Sequence, residues 1–310
     1  MNATLTTPAE TARRKFALSK RGRAVLSTLL YMAPALIIFV LFSYRPFIHS
    51  LWLSTNITNA RGEAVKFNGL NYFVKILTSE DYLRSLWITA QFALMVVPLS
   101  IAASVALAVL AGARLKGIKF FRTIFTSSIA VSLASGAIIW AMIYSPTIGL
   151  TNWLVNLLQL KSPGLLANAT TALSAVALMT IWSGLGFNFI FALAGIQAIP
   201  QDVYESGAID GATGWSSFWH ITLPLMGPSL LFLLVVNTIG ACQAFTQFNV
   251  LMQGAGPEGS TQVFVYSAFK SFWLENRYGF SSAMSIVLFV VLFVLSFIQF
   301  RVLDNRVHYQ

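Results

Sequence analysis

Residues 205–224 read ESGAIDGATGWSSFWHITLP, a polar, glycine-containing segment that lies between two long apolar stretches. The segment holds Glu205 and Asp210, two of only ten acidic residues in the chain. The stretches on either side have the composition of membrane-spanning helices. A segment this polar between them indicates contact with something outside the bilayer.

The composition of the whole chain supports a membrane protein. It has 310 residues, of which 56% are hydrophobic and 10% are charged, whereas a soluble domain carries about 25% charged residues. A helix needs ~20 apolar residues to cross the ~30 Å hydrocarbon layer, and six uncharged stretches are at least that long. They cover residues 24–44, 85–113, 123–160, 162–201, 211–257 and 278–300.

These uncharged stretches predict helices rather than barrel strands. Barrel strands alternate polar and apolar residues over ~10 positions, but the runs here are continuously apolar, and backbone groups in lipid are then satisfied within helices. The sequence predicts an all-α membrane protein with one domain over residues 25–303, preceded by a basic segment, 1–24, and followed by a tail, 304–310. The six predicted transmembrane helices cover 25–45, 86–112, 122–145, 170–196, 224–249 and 280–302.

The ends of the first predicted helix are set by two local signals. A basic segment before an apolar run is also typical of a cleaved signal peptide, but this run is too long, which favours a retained helix. Proline stops helices, so the sequence Tyr44-Arg45-Pro46 predicts the end of this first span.

The net charge of +10 is compatible with nucleic-acid binding, but the distribution of the charge favours a membrane topology instead. Most of the twenty basic residues lie at alternate ends of the predicted helices, as the positive-inside rule requires for cytoplasmic segments. Both termini and the fourth loop, 197–223, are therefore predicted to be cytoplasmic, with no nucleic acid as partner. The basic residues concerned are Arg13, Arg14, Lys15, Lys20, Arg21, Arg23, Arg114, Lys116, Lys119, Arg122, Arg301 and Arg306.

The spacing within residues 205–224 resembles the cytoplasmic EAA loop of ABC importer permeases. That loop has the pattern Glu-Ala-Ala, three residues, Gly, nine residues, Ile-x-Leu-Pro. Five positions match in register, and small residues replace the two alanines. The candidate coupling residues are Glu205, Ser206, Gly207, Ala208, Asp210, Gly211, Ile221, Leu223 and Pro224.

A helix–turn–helix structure is predicted for this loop, residues 199–224. Pro200 suits the start of a helix, Gly211 permits a sharp turn, and the aromatic segment 215–221 supplies the apolar face of a second short helix. The resemblance implies that the loop docks into a cleft on an ATP-hydrolysing subunit, with Glu205 facing a basic residue there. An interfacial loop whose carboxylates face only water is the alternative.

Other segments carry the same resemblance. The sequences FNGLNYF at 67–73 and PTIGLTN at 146–152 are similar to loop signatures of sugar-type permeases. Together with the tail 299–310, they resemble the MalF-like carbohydrate-uptake family, and within it the UgpA-like, glycerol-3-phosphate subgroup. The resemblance implies a MetI/MalF-like ABC permease fold in the bacterial inner membrane. It also implies a second homologous permease subunit, two ATP-binding cassette subunits and an extracytoplasmic solute-binding protein.

The predicted outer loops contain two further candidate helices. Residues 153–158 are amphipathic and are expected to lie along the outer interface, and residues 264–273 are expected to form a short helix. The glycine- and proline-rich segment 254–259 between them suits either a surface for a binding protein or an ordinary connector.

Polar residues within spans are costly and usually face the protein interior or a water-filled path. Amides with aromatic rings suit a hydroxyl-rich solute such as a sugar or a polyol, and the resemblance of the tail leaves a glycerol phosphate or its phosphodiester open. No Lys or Arg lies deep in a predicted span, which weighs against an anion held by this chain alone. Gln243 and Gln247 are four residues apart, which predicts one shared helix face. Interhelical hydrogen bonding is the alternative role for each amide. The candidate pathway residues are Tyr144, Trp182, Asn188, Asn237, Gln243, Gln247 and Asn249.

Sequence motifs of enzymes are absent. The chain lacks the GxxxxGK[ST] phosphate-binding loop, the HExxH zinc motif and the nucleophile elbow, so no catalytic residue, metal or cofactor is predicted and ATP hydrolysis is expected on a separate chain. A stand-alone carrier driven by protons or sodium is the rival hypothesis, and it requires ionisable groups or broken helices at the midplane. A membrane-embedded enzyme is a second rival, which lacks a catalytic cluster.

Overall fold

The computed structural model describes residues 20–112, 117–157 and 164–304. The chain divides into two compact units, residues 1–52 and 53–310. Within the described residues the structure is mainly helical, which confirms the predicted fold class. The basic residues at 13–15, 114 and 116 and the tail from 305 onward lie outside the described residues.

In the first unit, the predicted helix end at Tyr44-Arg45-Pro46 is wrong. The helix passes through a π turn, in which the Arg45 N–H bonds to the Val40 carbonyl five residues earlier. This wider turn accommodates Pro46, which has no N–H to donate. The apolar span therefore extends over Ser27–Ser54. The elements are α1 (Lys20–Phe39), the π turn (Val40–Tyr44) and α2 (Arg45–Ser54), whose last residues begin the second unit.

The second unit begins with a small antiparallel hairpin, β1 (Asn56–Thr58) and β2 (Ala64–Phe67). Seven helices of the described residues follow in chain order, and the last of them lies in the loop 199–224. They are α3 (Asn71–Thr78), α4 (Glu80–Gly112), α5 (Ile118–Thr126), α6 (Leu133–Ile143), α7 (Leu150–Leu157), α8 (Ala172–Gln197) and α9 (Gln201–Ile209).

The remaining helices complete the second unit. They are α10 (Trp215–Ser217), α11 (Leu223–Leu225), α12 (Gly227–Cys242), α13 (Thr246–Met252), α14 (Phe264–Trp273) and α15 (Tyr278–Asp304). Helix α14 confirms the short helix predicted over 264–273. Helix α7 includes residues 153–157 of the predicted amphipathic segment, and residue 158 lies outside the described residues.

Four helices of the described residues are long and apolar enough to cross a membrane: Ser27–Ser54, Glu80–Gly112, Ala172–Gln197 and Tyr278–Val302. Two bent helix pairs pass the same test together. They are Ile118–Ala130 with Leu133–Ile143, bent by 102°, and Trp215–Leu225 with Gly227–Cys242, bent by 68°. Counting each pair as one span gives the six that the sequence predicts.

Helices α4 and α8 form the centre of the second unit, and α12 packs against both. Towards one end, Phe92 of α4 and Met179 of α8 are fully buried with Phe248 of α13. Towards the other end, Ala108 of α4 packs with Phe189 of α8. Small residues bring membrane helices close together, so the alanine-rich second half of α4 suits this position.

The third predicted span, 122–145, is not a straight helix. The backbone is extended at Val131, with ψ 121°, and at Ser132, with ψ 145°. The Ser132 hydroxyl oxygen accepts the N–H of Ser135 at 3.2 Å and so caps the new helix. Ser128 lies just before the break and accepts the N–H of Gly186 in α8 at 2.8 Å.

Gly186 makes this packing possible. A Cβ added there would lie 2.6 Å from the Ser128 hydroxyl and 3.0 Å from the Phe125 carbonyl oxygen. We expect Gly186→Ala to destabilise the protein by about 1–3 kcal/mol through overpacking. The measurement is the thermal unfolding midpoint of the detergent-solubilised protein.

Gly240 of α12 offers a matched control, because an added Cβ there meets no atom within 4 Å. Gly240→Ala is expected to leave the midpoint unchanged or to raise it, since alanine is the better helix former by roughly 0.5–1 kcal/mol. Equal midpoints for the two variants would contradict tight packing at the break.

Candidate functional site

The loop 199–224 begins with helix α9, which follows Pro200 directly. Asp202 lies in its first turn, where the positive end of the helix dipole favours a carboxylate. The helix ends at Ile209 with Asp210 as its C-cap, and Gly211 then adopts φ +83°, a left-handed conformation that glycine adopts readily. The predicted first helix and sharp turn are confirmed.

The second arm of the loop returns through α10, a π turn over Phe218–Thr222, and α11. Its aromatic side chains pack on one another, with ring centroids 5.5 Å apart for Trp215 and Phe218. The N–H of Leu223 bonds to the Phe218 carbonyl, five residues earlier, immediately before Pro224. The π turn thus carries the helix past a residue without an N–H, as it does before Pro46.

The two arms of the loop contact each other closely at Gly207. A Cβ added to Gly207 would lie 2.4 Å from Cδ1 of Ile221 on the returning arm. The Ala212 N–H donates to the Gly207 carbonyl at 2.8 Å. The hydroxyls of Tyr204 and Thr222 are hydrogen-bonded at 3.1 Å. The small residue at 207 therefore serves the packing of the loop on itself.

The outer surface of the loop combines carboxylates with apolar side chains. Glu205 and Asp210 are exposed, and the Gln201 amide donates to Glu205 Oε1 at 2.8 Å. Ile209 is 88% exposed and Trp215 is 73% exposed. Exposed apolar side chains grouped with charged ones are typical of a protein interaction site.

A groove of about 470 Å³ lies beside Glu205. Sequence reasoning missed Gln201 and Tyr204, which line this groove and orient the loop. The four-residue spacing of Gln201 and Glu205 on one helix was the available signal. The lining residues are Gly112, Ile199, Gln201, Tyr204, Glu205 and Ala208.

Of the predicted pathway residues, Asn188 and Asn237 bind each other. Each amide nitrogen donates to the other's oxygen, at 3.0 Å and 2.9 Å. Asn188 of α8 is 1% exposed, and Asn237 of α12 also donates to the Leu233 carbonyl. In this conformation the two amides join α8 to α12. This interhelical hydrogen bonding is the alternative role that the sequence left open for each amide.

Tyr144 and Trp182 lie in one aromatic cluster with Trp140. The ring centroids of Trp140 and Tyr144 are 5.2 Å apart, and those of Trp140 and Trp182 are 5.9 Å apart. The Tyr144 hydroxyl donates to the Ala175 carbonyl at 2.8 Å. These contacts join α6 to α8.

The prediction that Gln243 and Gln247 share a helix face is wrong. Helix α12 ends at Cys242, and α13 begins only at Thr246, so the two amides lie on opposite sides of a break. Gln243 and Asn249 are exposed, whereas Gln247 is 3% exposed. The Gln247 amide donates to the Thr180 hydroxyl at 3.4 Å. A hydrophobic sequence that continues through Ala244 and Phe245 concealed this break.

The comparison with protein families decides the identity of the fold. Residues 9–309 match the family described as "Binding-protein-dependent transport system inner membrane component". The chain belongs to this family. The match covers nearly the whole chain, and an inner membrane component agrees with the apolar spans of the structure.

A relative agrees with the family, and solved structures of other proteins share the fold. The sn-glycerol-3-phosphate transport system permease protein UgpA of Agrobacterium fabrum is 33% identical over 282 residues, 90% of this chain and 95% of that protein. A bacterial ABC transporter involved in the import of the acidic polysaccharide alginate has a chain with a TM-score of 0.78 and 23% identity, covering 92% of this chain and 96% of that chain.

A second solved structure is a bacterial alginate ABC transporter in complex with an alginate pentasaccharide-bound periplasmic protein. Its TM-score is 0.76 at 23% identity, and it covers 90% of this chain and 93% of that chain. At this identity the two alginate transporter structures support the fold.

The contact between Gly207 and Ile221 yields a test of the loop's internal packing. We expect Gly207→Val to separate the two arms, at a cost of about 1–3 kcal/mol. Adding Ile221→Ala is expected to recover part of this loss, because neighbouring substitutions in contact are not additive. The measurement is the rate of chymotrypsin cleavage at Trp215 and Trp219.

Ala208→Val is the matched control for this test, because Ala208 lies next in the same helix and is exposed. It adds a β-branched side chain at the next position of the same helix, with a small loss of helix propensity that Gly207→Val does not have. Faster cleavage in both single variants alike would contradict the proposed contact.

Proposed function

We propose that this chain is a transmembrane permease subunit of an ATP-driven ABC importer. The single observation that carries the proposal is the loop 199–224, a closed helix–turn–helix that presents Glu205 and exposed apolar side chains. Family membership and the permease relatives support it. The chain then acts as a non-enzymatic pore subunit, and ATP is hydrolysed on a partner chain.

The loop couples that ATPase to the membrane helices in this proposal. It lies on the cytoplasmic side, where it docks into a cleft of an ATP-binding cassette subunit. The returning arm continues through a 68° bend into α12. Because α12 is joined to α8 through Asn237 and Asn188, movement of the loop is transmitted to the centre of the helix bundle and alternates access to the solute path.

The partners follow from the same assembly. We infer two ATP-binding cassette subunits, a second homologous permease subunit and an extracytoplasmic solute-binding protein. The complex of an alginate transporter with its periplasmic protein supports the last of these. The basic segment 1–24, the membrane domain 25–303 and the tail 304–310 remain the proposed division of the chain.

The solute class in this proposal is a sugar or a related polyol or glycerol phosphate. The name of the UgpA relative supports this class. Of the predicted pathway residues, Gln243 and Asn249 flank the break between α12 and α13 and are exposed. Their amides are free to meet a solute without separating packed helices, in contrast to Asn188 and Asn237.

Reversal of charge at Glu205 tests the coupling role. We expect Glu205→Lys to abolish ATP-driven uptake by the assembled transporter, because the carboxylate faces a basic residue on the ATPase. The isolated chain should keep its thermal midpoint, since Glu205 is exposed and its carboxylate accepts a hydrogen bond from the nearby Gln201 amide. Uptake by proteoliposomes is the measurement.

The matched control is Glu63→Lys, which makes the same charge change in the β1–β2 hairpin. This hairpin is distant in sequence from the loop and contacts the first turn of α15, where the Gly279 N–H donates to the Thr58 hydroxyl. Uptake by this control is expected to match the unaltered transporter. Normal uptake by Glu205→Lys, or equal loss in both variants, would count against coupling through the loop.

The turn itself offers a second test. Gly211 has φ +83°, whereas proline is fixed near −65°, so Gly211→Pro is expected to open the turn and to abolish uptake while the protein remains in the membrane. The measurement combines uptake with the amount of chain in the membrane fraction. Uptake at the normal rate would show that the turn geometry is dispensable.

A further inference from the structure

A second polar cavity lies far from the loop, between the first turns of α4 and α8. Its volume is about 320 Å³. Gly112, at the opposite end of α4, lines the groove beside Glu205. The ~1.5 Å rise per helical residue places the cavity about 40 Å along α4 from that groove. Its functional lining residues are Arg84, Trp87, Gln91, Thr170, Ser174 and Ser260.

Arg84 gives this cavity a positive charge. Its guanidinium donates to the Glu258 carbonyl oxygen at 3.2 Å, which holds the side chain in place and leaves its other N–H groups for a ligand. Within the part of the chain that the structure describes, no carboxylate forms an ion pair with it, since the ion pair found there joins Arg277 to Glu275. The charge of Arg84 is therefore not neutralised by a neighbouring carboxylate.

Arg84 also lines a neighbouring cavity, which differs in charge. That cavity of about 280 Å³ contains the carboxylates of Asp81 and Glu275 as well as Lys270. The cavity with Trp87 is lined by no acidic residue. An anion is therefore favoured on the Trp87 side of Arg84, where no carboxylate lines the cavity.

The hydrogen-bonding groups of the Trp87 cavity separate into donors and acceptors. Thr170 donates its hydroxyl hydrogen to Asn168 Oδ1 at 2.9 Å, and Ser174 donates to the Thr171 carbonyl at 2.8 Å. Each hydroxyl oxygen keeps lone pairs that accept hydrogen bonds. These two residues therefore suit the hydroxyl groups of a solute, which donate.

Three lining side chains of the cavity can donate hydrogen bonds. The Ser260 hydroxyl is buried and has no hydrogen-bond partner among the described residues, so it is available to an incoming acceptor. Gln91 adds an amide N–H₂, and the guanidinium of Arg84 binds oxyanions in a planar, two-point geometry. The first turn of α8 contributes the positive end of a helix dipole. Together these groups suit a phosphate or carboxylate.

Trp87 completes the site with an aromatic surface. It is 60% exposed and lies one helical turn from Arg84 and from Gln91, so the three side chains share one face of α4. An indole ring packs against the C–H face of a carbon chain that carries hydroxyl groups. Polar groups on a membrane helix usually face a water-filled path rather than lipid.

We propose that this cavity is an entry subsite for a polyol that carries an anionic group. Arg84, Gln91 and Ser260 bind the anionic group, Thr170 and Ser174 accept from the hydroxyls, and Trp87 contacts the carbon chain. The inference rests on the proposed function as an importer, and it narrows the solute class from sugars, polyols and glycerol phosphates to anionic polyols. A glycerol phosphate group has this chemistry, whether it is a free solute or the headgroup of phosphatidylglycerol.

The test uses the assembled transporter in nanodiscs of phosphatidylcholine, with sn-glycerol-3-phosphate as the probe and ³¹P line broadening as the readout. We expect saturable broadening that Arg84→Gln weakens by about tenfold to a hundredfold, as for loss of a charge-assisted hydrogen bond. Arg84→Lys keeps the charge but loses the two-point geometry. The affinity of this variant for the probe should therefore lie between those of the unaltered transporter and Arg84→Gln. Arg61→Gln, at an exposed arginine of the hairpin, should bind as the unaltered transporter does.

Competition experiments identify which chemical group of the probe the cavity binds. Inorganic phosphate should displace the probe, and glycerol at the same concentration should not. Equal displacement by glycerol, or unchanged affinity in Arg84→Gln, would overturn the proposal. Loss of probe binding when phosphatidylglycerol is added to the nanodiscs would also overturn it, because the occupant would then be a lipid headgroup.

This experiment needs neither ATP nor a binding protein. Failure of ATP-driven uptake would therefore count against the proposed function alone. Failure of phosphate to bind at Arg84 would count against the entry subsite and leave the coupling role of Glu205 standing.

Discussion

The whole structure depends on one constraint, which is that backbone N–H and carbonyl groups in hydrocarbon must find partners inside the protein. Three departures from regular helix show local solutions. Before Pro46 and before Pro224, a π turn lets the preceding residue bond five residues back. At the 102° bend between α5 and α6, Ser132 caps the new helix with its own hydroxyl.

This constraint also shapes the functional loop. Because the π turn before Pro224 keeps the helix intact, the returning arm is continuous with the bent pair that leads to α12. Gly207 allows the first arm to pack against Ile221, so the loop is closed on itself before any partner binds. A closed loop moves as one body, which is the property that transmission of movement from an ATPase to membrane helices requires.

Much of this architecture was predictable from the sequence because membrane spans are determined by apolar length. The span over 170–196 agrees with α8 to within two residues, and the turn at Gly211 follows from the conformational freedom of glycine. The end predicted at Pro46 and the shared face of Gln243 and Gln247 were wrong. Both depend on backbone geometry that an apolar sequence does not encode locally, namely a π turn in one case and a break in the other.

Side-chain pairing was the second limit of sequence reasoning. Asn188 and Asn237 are far apart in sequence, and the packing of α8 against α12 brings them together. The same is true of the cavity at Arg84, which assembles residues of α4, the start of α8 and the loop at Ser260. Composition identified each residue as polar within or beside a span, but the partner of each depends on tertiary structure.

The central claim is that this chain moves solute only with work supplied by a nucleotide-hydrolysing partner. The most direct measurement is the accumulation of solute against its concentration gradient in vesicles. The solute is the one that the partner binding protein retains, and the vesicles contain either this chain alone or the complete assembly. The account predicts ATP-dependent accumulation by the complete assembly and none by the chain alone. Accumulation by the chain alone, without ATP or an ATPase, would contradict it.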